Sequence, residues 1–575
     1  FAPSYYYGNK DATKDKEESR ATYFSTLYVD LLSENTLNYH IDFGRNNAHS
    51  IDALLGYTVE STRNQRVAMT ATGFATDDVH TLNAATVYSL ASKGNGNTDG
   101  TGTFRYPDVV LESYLGRINY SYLGRYLLST SLRLDRSSLF SKGNRNAWFP
   151  SVSLGWRVNE EKFMKNIEVI SNLKLRASYG RAGQAVTGVS RYPYQGTFTE
   201  GGGYNFGTSQ SYTEGVYEST AGNKNIKWEI SDMANFGVDF DLWNKKIYGS
   251  VDLFKEWRSN ILVSRSTVPS LFGVNAPQDS YGKAETKGFE VTLGHSNRIG
   301  DFEYYIDGML TFNTNKITEM DELTPDYAYQ ARTGNRIDQS QLLIWKQWAS
   351  NPDLIPESYE DAVANPQKYP WNAAGKYKLG NAVFQDTNGD RKIDSYDKVP
   401  TGYTNIPELI PTIRLGFSWK GFDARAVLTA YLNRTVPCRE NMDYGFGWGG
   451  TSTHEITNTW GYYTDDPTDP RNINAKYPRL STSFSDLDRN YPYNESTIWV
   501  VNGDFLSLRN VEVGYSLPAR LISKVNMTKC RLYFSGYNLC NWSHLPKGFD
   551  PENPTNYIWA YPKTRSFTFG VNIGF

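Results

Sequence analysis

Ser566-Phe567-Thr568-Phe569-Gly570-Val571-Asn572-Ile573-Gly574-Phe575 alternates without a break. Phe567, Phe569, Val571, Ile573 and Phe575 take the odd positions, and small or polar residues take the even ones. Side chains of a strand point alternately to opposite faces. The stretch therefore reads as a strand with one wholly apolar face and one wet face.

The pattern recurs along the chain. Ile413, Leu415, Phe417 and Trp419 oppose Arg414, Gly416, Ser418 and Lys420. Val152, Leu154, Trp156 and Val158 oppose Ser153, Gly155 and Arg157. Leu173, Leu175, Ala177 and Tyr179 oppose Lys174, Arg176, Ser178 and Gly180. Further strands are expected over 22–44, 49–60, 109–122, 124–136, 228–242, 245–257, 283–296, 301–315, 422–432, 503–517 and 527–541, with 22–44 long enough for two. The total is about fifteen.

A soluble sandwich alternates too, so the connections decide. Short ones fall at Leu123-Gly124, Trp243-Asn244, around Arg298, at Gly421-Phe422 and over 518–526. Long ones run over 59–108, 181–227, 258–282, 316–410, 433–502 and 542–563. Short turns at one end and long loops at the other mark an outer-membrane barrel. In hydrocarbon every backbone polar group needs a partner, so a spanning sheet must close on itself. The expected fold is thus all-β, a transmembrane antiparallel β-barrel. Tyr120, Tyr122, Trp156, Trp243, Trp419 and Tyr515 are placed to form its interfacial aromatic girdles.

Composition agrees and excludes other classes. Aromatic residues make up 15% of the 575 residues, with 42 Tyr. No apolar run reaches the length of a membrane-spanning helix. The net charge of −2, from 59 basic and 61 acidic residues, gives no electrostatic case for nucleic acid. Of the three cysteines, Cys530 and Cys540 lie ten positions apart on one expected strand, roughly 33 Å, too far for a disulfide. With Cys438 they read as free thiols. The six histidines form no H-E-x-x-H, and neither a G-x-S-x-G elbow nor a P-loop occurs. Gly201-Gly202-Gly203 precedes no helix, and Asp465-Asp466 sits in a polar turn. The chain is not expected to be an enzyme.

Several stretches resemble the SusC-like branch of TonB-dependent transporters. They are Gly116-Arg117-Ile118-Asn119-Tyr120-Ser121-Tyr122, Leu132-Arg133-Leu134-Asp135-Arg136-Ser137-Ser138, Phe149-Pro150-Ser151-Val152-Ser153-Leu154-Gly155-Trp156-Arg157, Leu173 to Gly180, Leu506-Ser507-Leu508-Arg509-Asn510-Val511, Gly514-Tyr515-Ser516-Leu517-Pro518, Gly536-Tyr537-Asn538-Leu539 and Asp550-Pro551-Glu552. Arg136 and Arg181 depart from the pattern in small ways. The resemblance implies a 22-stranded barrel in the outer membrane of a Bacteroidota species, an N-terminal plug and a segment that engages TonB. Residues 1–21 then read as the start of an exposed extracellular loop, and 22–575 as the C-terminal part of the barrel. The first strands and plug are expected from the N-terminal portion of the same transporter. The implied activity is active import of oligosaccharides or peptides, with a SusD-like surface lipoprotein as lid over loops 181–227, 316–410 and 433–502. A passive porin or adhesin barrel is the alternative. An outer-membrane hydrolase would need a catalytic constellation that the loops do not display.

Three local features carry candidate sites. In 386–397, Asp386, Asn388, Asp390, the Lys392 carbonyl, Asp394 and Asp397 stand at loop positions 1, 3, 5, 7, 9 and 12, the donor order of a Ca²⁺ (or Mg²⁺) loop. Arg391 at position 6 and Asp at position 12 depart from it, and an Asx-rich turn without metal is the other reading. Tyr444, Phe446, Trp448 and Trp460 lie in a Gly-rich loop, where they could stack on substrate, meet a partner or pack the loop itself. Phe575 is expected to serve as the signal for barrel insertion; the alternative is a simple lipid anchor.

Overall fold

The computed structural model describes residues 4–6, 20–72, 74, 82–89, 102–185, 192–208, 210–349, 364–365, 379–390, 393–437, 454–479, 495–545, 549–552 and 563–575. Fifteen long strands stand out among them. In chain order they are β1 Arg20–Phe43, β2 His49–Thr72, β3 Gly102–Tyr122, β4 Tyr126–Ser137, β5 Asn146–Arg157, β6 Ile170–Gln184, β7 Glu229–Leu242, β8 Ile247–Ser264, β9 Gln278–Ile299, β10 Phe302–Glu319, β11 Leu409–Trp419, β12 Phe422–Tyr431, β13 Phe505–Ser516, β14 Lys529–Ser543 and β15 Ser566–Gly574. No described helix is long and apolar enough to cross a membrane.

Segment 22–44 is one strand, as counted, and several strands run further than the sequence reading placed them. β2 reaches Thr72 where a loop was expected from residue 59, and β3 starts at Gly102 where the strand was expected from residue 109. Residues 4–6, expected in an exposed loop, form a short strand paired with Arg20, Ala21 and Thr22.

Contacts divide the chain into two units. The first comprises residues 1–153, 180–231 and 259–281. In it β1, β2, β3 and β4 form an antiparallel ladder. Paired residues share a face, so Phe43, His49, Tyr122 and Tyr126 form one aromatic row at the short-turn end. A small core of Phe140, Phe149, Ile226 and Trp228 packs loop residues of this unit against the start of β5, and the Trp228 indole donates to the Arg145 carbonyl at 2.9 Å.

The second unit comprises residues 154–179, 232–258 and 282–575. Here β9 to β15 pair in sequence order, every neighbour antiparallel. The register links Phe302, Trp419, Phe422, Tyr515, Leu532 and Val571 into one row across six strands, which brings together two of the residues expected in the girdle, Trp419 and Tyr515. Phe569 pairs with Phe534, and Asn572 pairs with Arg531 on the opposite face. That is the facing expected for 566–575.

The short turns are tight because their residues accept positive φ. Leu123 and Gly124 have φ of 53° and 66°, and Lys420 and Gly421 have 47° and 91°. Two consecutive positive values match the twist of the flanking strands. At Gly421 a side chain would also meet the Ser516 carbonyl at 2.8 Å, so glycine is required twice over.

Candidate functional site

The wet face of the second unit carries fixed ion networks. Arg176 on β6 grips two carboxylates, Asp239 at 2.8 Å and Asp252 at 2.9 and 3.0 Å. Asp307 on β10 accepts from the Tyr248 hydroxyl at 2.5 Å and from Arg414 at 3.0 Å. On the last strands Arg531 donates to Asp423 and Glu512, and Arg425 donates to the second Glu512 oxygen at 2.7 Å. Charge-assisted, bidentate pairs of this kind are strong and directional. They give the inner wall a rigid polar surface and satisfy charges that apolar packing could not hold. Sequence reading missed these networks as a site. Their only signal was the charge at alternate positions.

Loops 316–410 and 433–502 pack on each other. Leu343, Trp348, Phe384, Trp460, Tyr477 and Trp499 form a buried core. The Trp348 indole donates to the Ala475 carbonyl at 2.6 Å, and the Leu343 amide donates to the Glu495 carbonyl at 2.9 Å. Lys398 and Glu495 pair across the same seam. Trp460 belongs to this core and is only 6% exposed. Its ring lies against Gly380, where a Cβ would meet it at 2.5 Å. Of the three roles left open for Trp460, stacking on substrate, meeting a partner or packing the loop, its burial matches the last, because both loops supply apolar partners that cover its face. Tyr444, Phe446 and Trp448 lie outside the described residues.

Loop 386–397 closes on its own amides. Asp386 accepts from the Gly389 amide at 2.7 Å, Asn388 from the Asp390 amide at 2.9 Å, and Asp394 from the Tyr396 amide at 2.8 Å. The fully buried Asp397 accepts from Thr387 at 2.6 Å and from Asp394 at 2.9 Å. Burial holds its carboxyl above the usual range against these two amides, which act in the other direction. Among the described residues no three carboxylate, cysteine or histidine side chains gather into a metal-holding group. Lys392 lies outside the described residues.

Motif Asp550-Pro551-Glu552, which carried part of the resemblance, ties a loop to the strands below it. Glu552 pairs with Arg509 of β13, and the Pro551 carbonyl accepts from Arg434 at 2.9 Å. Arg434 is buried, and burial pulls its pKa down despite the nearby Asp504. Phe575, at the far end of β15, is 84% exposed.

Strands with one apolar and one ion-paired face, joined by tight turns and large folded loops, define a transmembrane β-barrel. The family model described as TonB dependent receptor-like, beta-barrel matches residues 2–415, and the chain belongs to that family. It is 27% identical over 576 residues to TonB-dependent receptor P3 of Formosa agariphila, covering 96% of this chain and 53% of that protein. It is 29% identical over 482 residues to TonB-dependent receptor SusC of Bacteroides thetaiotaomicron, covering 81% and 44%. Among solved structures, the RagAB peptide importer in its open-open state matches with a TM-score of 0.75 at 20% identity, covering 98% of this chain and 56% of that one, a likeness of fold. The chain spans about half the length of the curated relatives it matches. Family membership places it in the bacterial outer membrane, and the two named relatives come from Bacteroidota.

Proposed function

We propose that this chain forms the C-terminal part of the barrel of a SusC-like active importer. The importer takes up oligosaccharides or peptides, draws energy from TonB through the N-terminal portion of the same transporter, and works under a SusD-like lipoprotein. The observation that carries this reading is the family match over residues 2–415, joined to relatives named for TonB and SusC. The loop core built by 316–410 and 433–502 supports it, since a folded platform above the strands suits a docked lid.

The test uses the full-length transporter in its own cell. Deleting the TonB-engaging segment should abolish growth on the imported nutrient while barrel abundance stays unchanged. Mild solubilisation should recover a SusD-like lipoprotein. Uptake that persists without that segment would favour the passive-porin reading. Oligosaccharide and peptide as alternative sole nutrients separate the substrate classes.

For loop 386–397 cation binding rests on donor order alone. Protection of the loop from protease by Ca²⁺ or Mg²⁺, lost in Asp390→Ala, would support it. Equal protection in the presence of chelator would remove it.

A further inference from the structure

We infer that the outer wall of the barrel carries a site for the phosphate-bearing headgroup of an outer-leaflet lipid, formed by Lys287, Lys316 and Arg336. A cavity of about 220 Å³ lies where β9, β10 and the loop after β10 meet. Its lining includes Glu285, Lys287, Thr314, Lys316, Asn335 and Arg336. It is too small for a whole organic ligand of ordinary size, and suits one anionic group.

The register fixes which way these residues face. From Ala284 to Ile299 the β9–β10 ladder runs without a shift. Lys287 pairs with Thr314, Phe289 with Phe312, Val291 with Leu310, Leu293 with Gly308 and His295 with Ile306. Leu293 and Ile306 are 53% and 47% exposed on the apolar, lipid-facing side. The neighbouring Asp307 points the other way, to Tyr248 and Arg414. Side chains two positions apart share a face, so Lys287, Thr314 and Lys316 face outward with them.

Height follows from strand geometry. The short turn after Ile299 marks the inner edge of the membrane. Ten residues up β9, at roughly 3.3 Å each and a tilt of about 40°, rise some 25 Å, the height of the apolar band. That point is Phe289, whose ring packs on Phe312 with centroids 5.5 Å apart. Lys287 and Lys316 come next, at the level of the headgroups. An aromatic pair capped by cations is the order a lipid presents, acyl chain first and phosphate above.

Charge and rigidity complete the site. Lys255, Lys287, Lys316 and Arg336 face two carboxylates, Glu285 and Glu408. Lys255 reaches Glu285 at 3.0 Å and Lys316 stands 4.0 Å from it. Arg336 pairs with Glu408 and stacks over Tyr403 at 5.0 Å. Lys287 has no ion-pair partner among the described residues. The surplus is cationic. The loop wall is held in place: the Gly334 amide donates to the Ile317 carbonyl, and the Ile317 amide donates to the Asn335 carbonyl, both at 2.8 Å. The Ile337 amide donates to the Asn315 side chain at 2.8 Å. Phosphate recruits lysine and arginine through charge-assisted hydrogen bonds.

The experiment uses full-length transporter purified from its own outer membrane, with bound lipid counted by native mass spectrometry. Wild type should retain a phosphorylated lipid. Retention should fall about tenfold in Lys287→Glu/Lys316→Glu and by less in Lys287→Gln, with the heat-resistant migration of the folded barrel unchanged. Re-lipidation with the same lipid after enzymatic dephosphorylation should give little retention. Equal retention by the double variant, or of the dephosphorylated lipid, would overturn the site. Displacement of the lipid by millimolar inorganic phosphate would overturn the lipid assignment and leave a free-anion site. If the double variant does not assemble, the wild-type comparison of phosphorylated and dephosphorylated lipid decides alone.

Discussion

Arg531 on β14 reaches across β13 to Asp423 on β12, its Nε 2.9 Å from the carboxylate, and it passes directly over Gly514. A Cβ at Gly514 would lie 2.4 Å from the guanidinium. The glycine is therefore the floor of an ion bridge that spans two strand gaps. It also explains a residue of the Gly514-Tyr515 motif that sequence alone left without a role.

Removing the bridge should be costly. Arg531→Ala leaves Asp423 and Glu512 with fewer partners on a partly buried wall. The full-length transporter should lose about 2–3 kcal/mol in denaturant unfolding from lipid vesicles. Gly514→Ala should cost a similar amount by pushing the guanidinium aside, yet little in the Arg531→Ala background. A double-mutant cycle that shows simple additivity would mean that the two residues are independent.

Gly380→Ala should loosen the loop core without touching the strands. Its φ of +83° penalises any Cβ, and the added atom would strike Trp460. Cleavage by a dilute protease within 316–410 should become faster by about tenfold, the equivalent of about 1.4 kcal/mol, with the melting of the barrel unmoved. Loss of barrel stability as well would show that the loops brace the strands.

The strands were legible because a membrane barrel writes apolar and polar residues on opposite faces. Legibility failed where the lipid ends. The upper part of β2, Ser61-Thr62-Arg63-Asn64-Gln65, is polar on both faces, so the period of two disappears although the ladder with β1 continues. The aromatic Trp460 was ambiguous for a different reason. Whether it faces solvent depends on Gly380 and Ala475, and only the fold brings Gly380 to it. Arg531, Asp423 and Glu512 were visible as charges on wet positions, but their partnership needs the register of three strands and a glycine between them. In 386–397 the same side-chain oxygens suit a cation or an Asx turn, and residue identity does not choose between them; only the fold shows which amides Asp386, Asn388 and Asp394 accept from.

Acid should separate two capping carboxylates. Arg471 holds the Asp469 carboxyl down to about 2, chiefly through their hydrogen bond, at the start of the short helix Pro470–Ile473. A depressed pKa supports the fold fully above the usual carboxylate range and loses that support as pH falls toward 2. Asp397 behaves oppositely. Its pKa is raised by burial, so its contribution is lost as pH rises from the usual carboxylate range through the raised value. Hydrogen exchange at the Arg471 amide should stay slow at pH 3 and quicken near pH 2. Quickening already near pH 4 would show that Arg471 does not hold the cap.

Phe575 allows the insertion signal and the lipid anchor to be told apart. The ladder ends at Gly574, whose carbonyl accepts from the Thr528 amide at 2.8 Å, so Phe575 projects past the last paired residue. Burying an aromatic side chain of this size in lipid contributes about 2 kcal/mol, and leucine would supply most of it. As an anchor, Phe575→Leu should be nearly silent. As a signal that needs the aromatic ring, Phe575→Leu should lower outer-membrane abundance several-fold, about as much as deleting the residue. Phe567→Leu, on the same exposed face of β15, should have little effect in either case. We expect the first variant to fail and the second to assemble, measured by quantitative immunoblotting of outer-membrane fractions. Equal, near-normal abundance of both would leave Phe575 as an anchor alone.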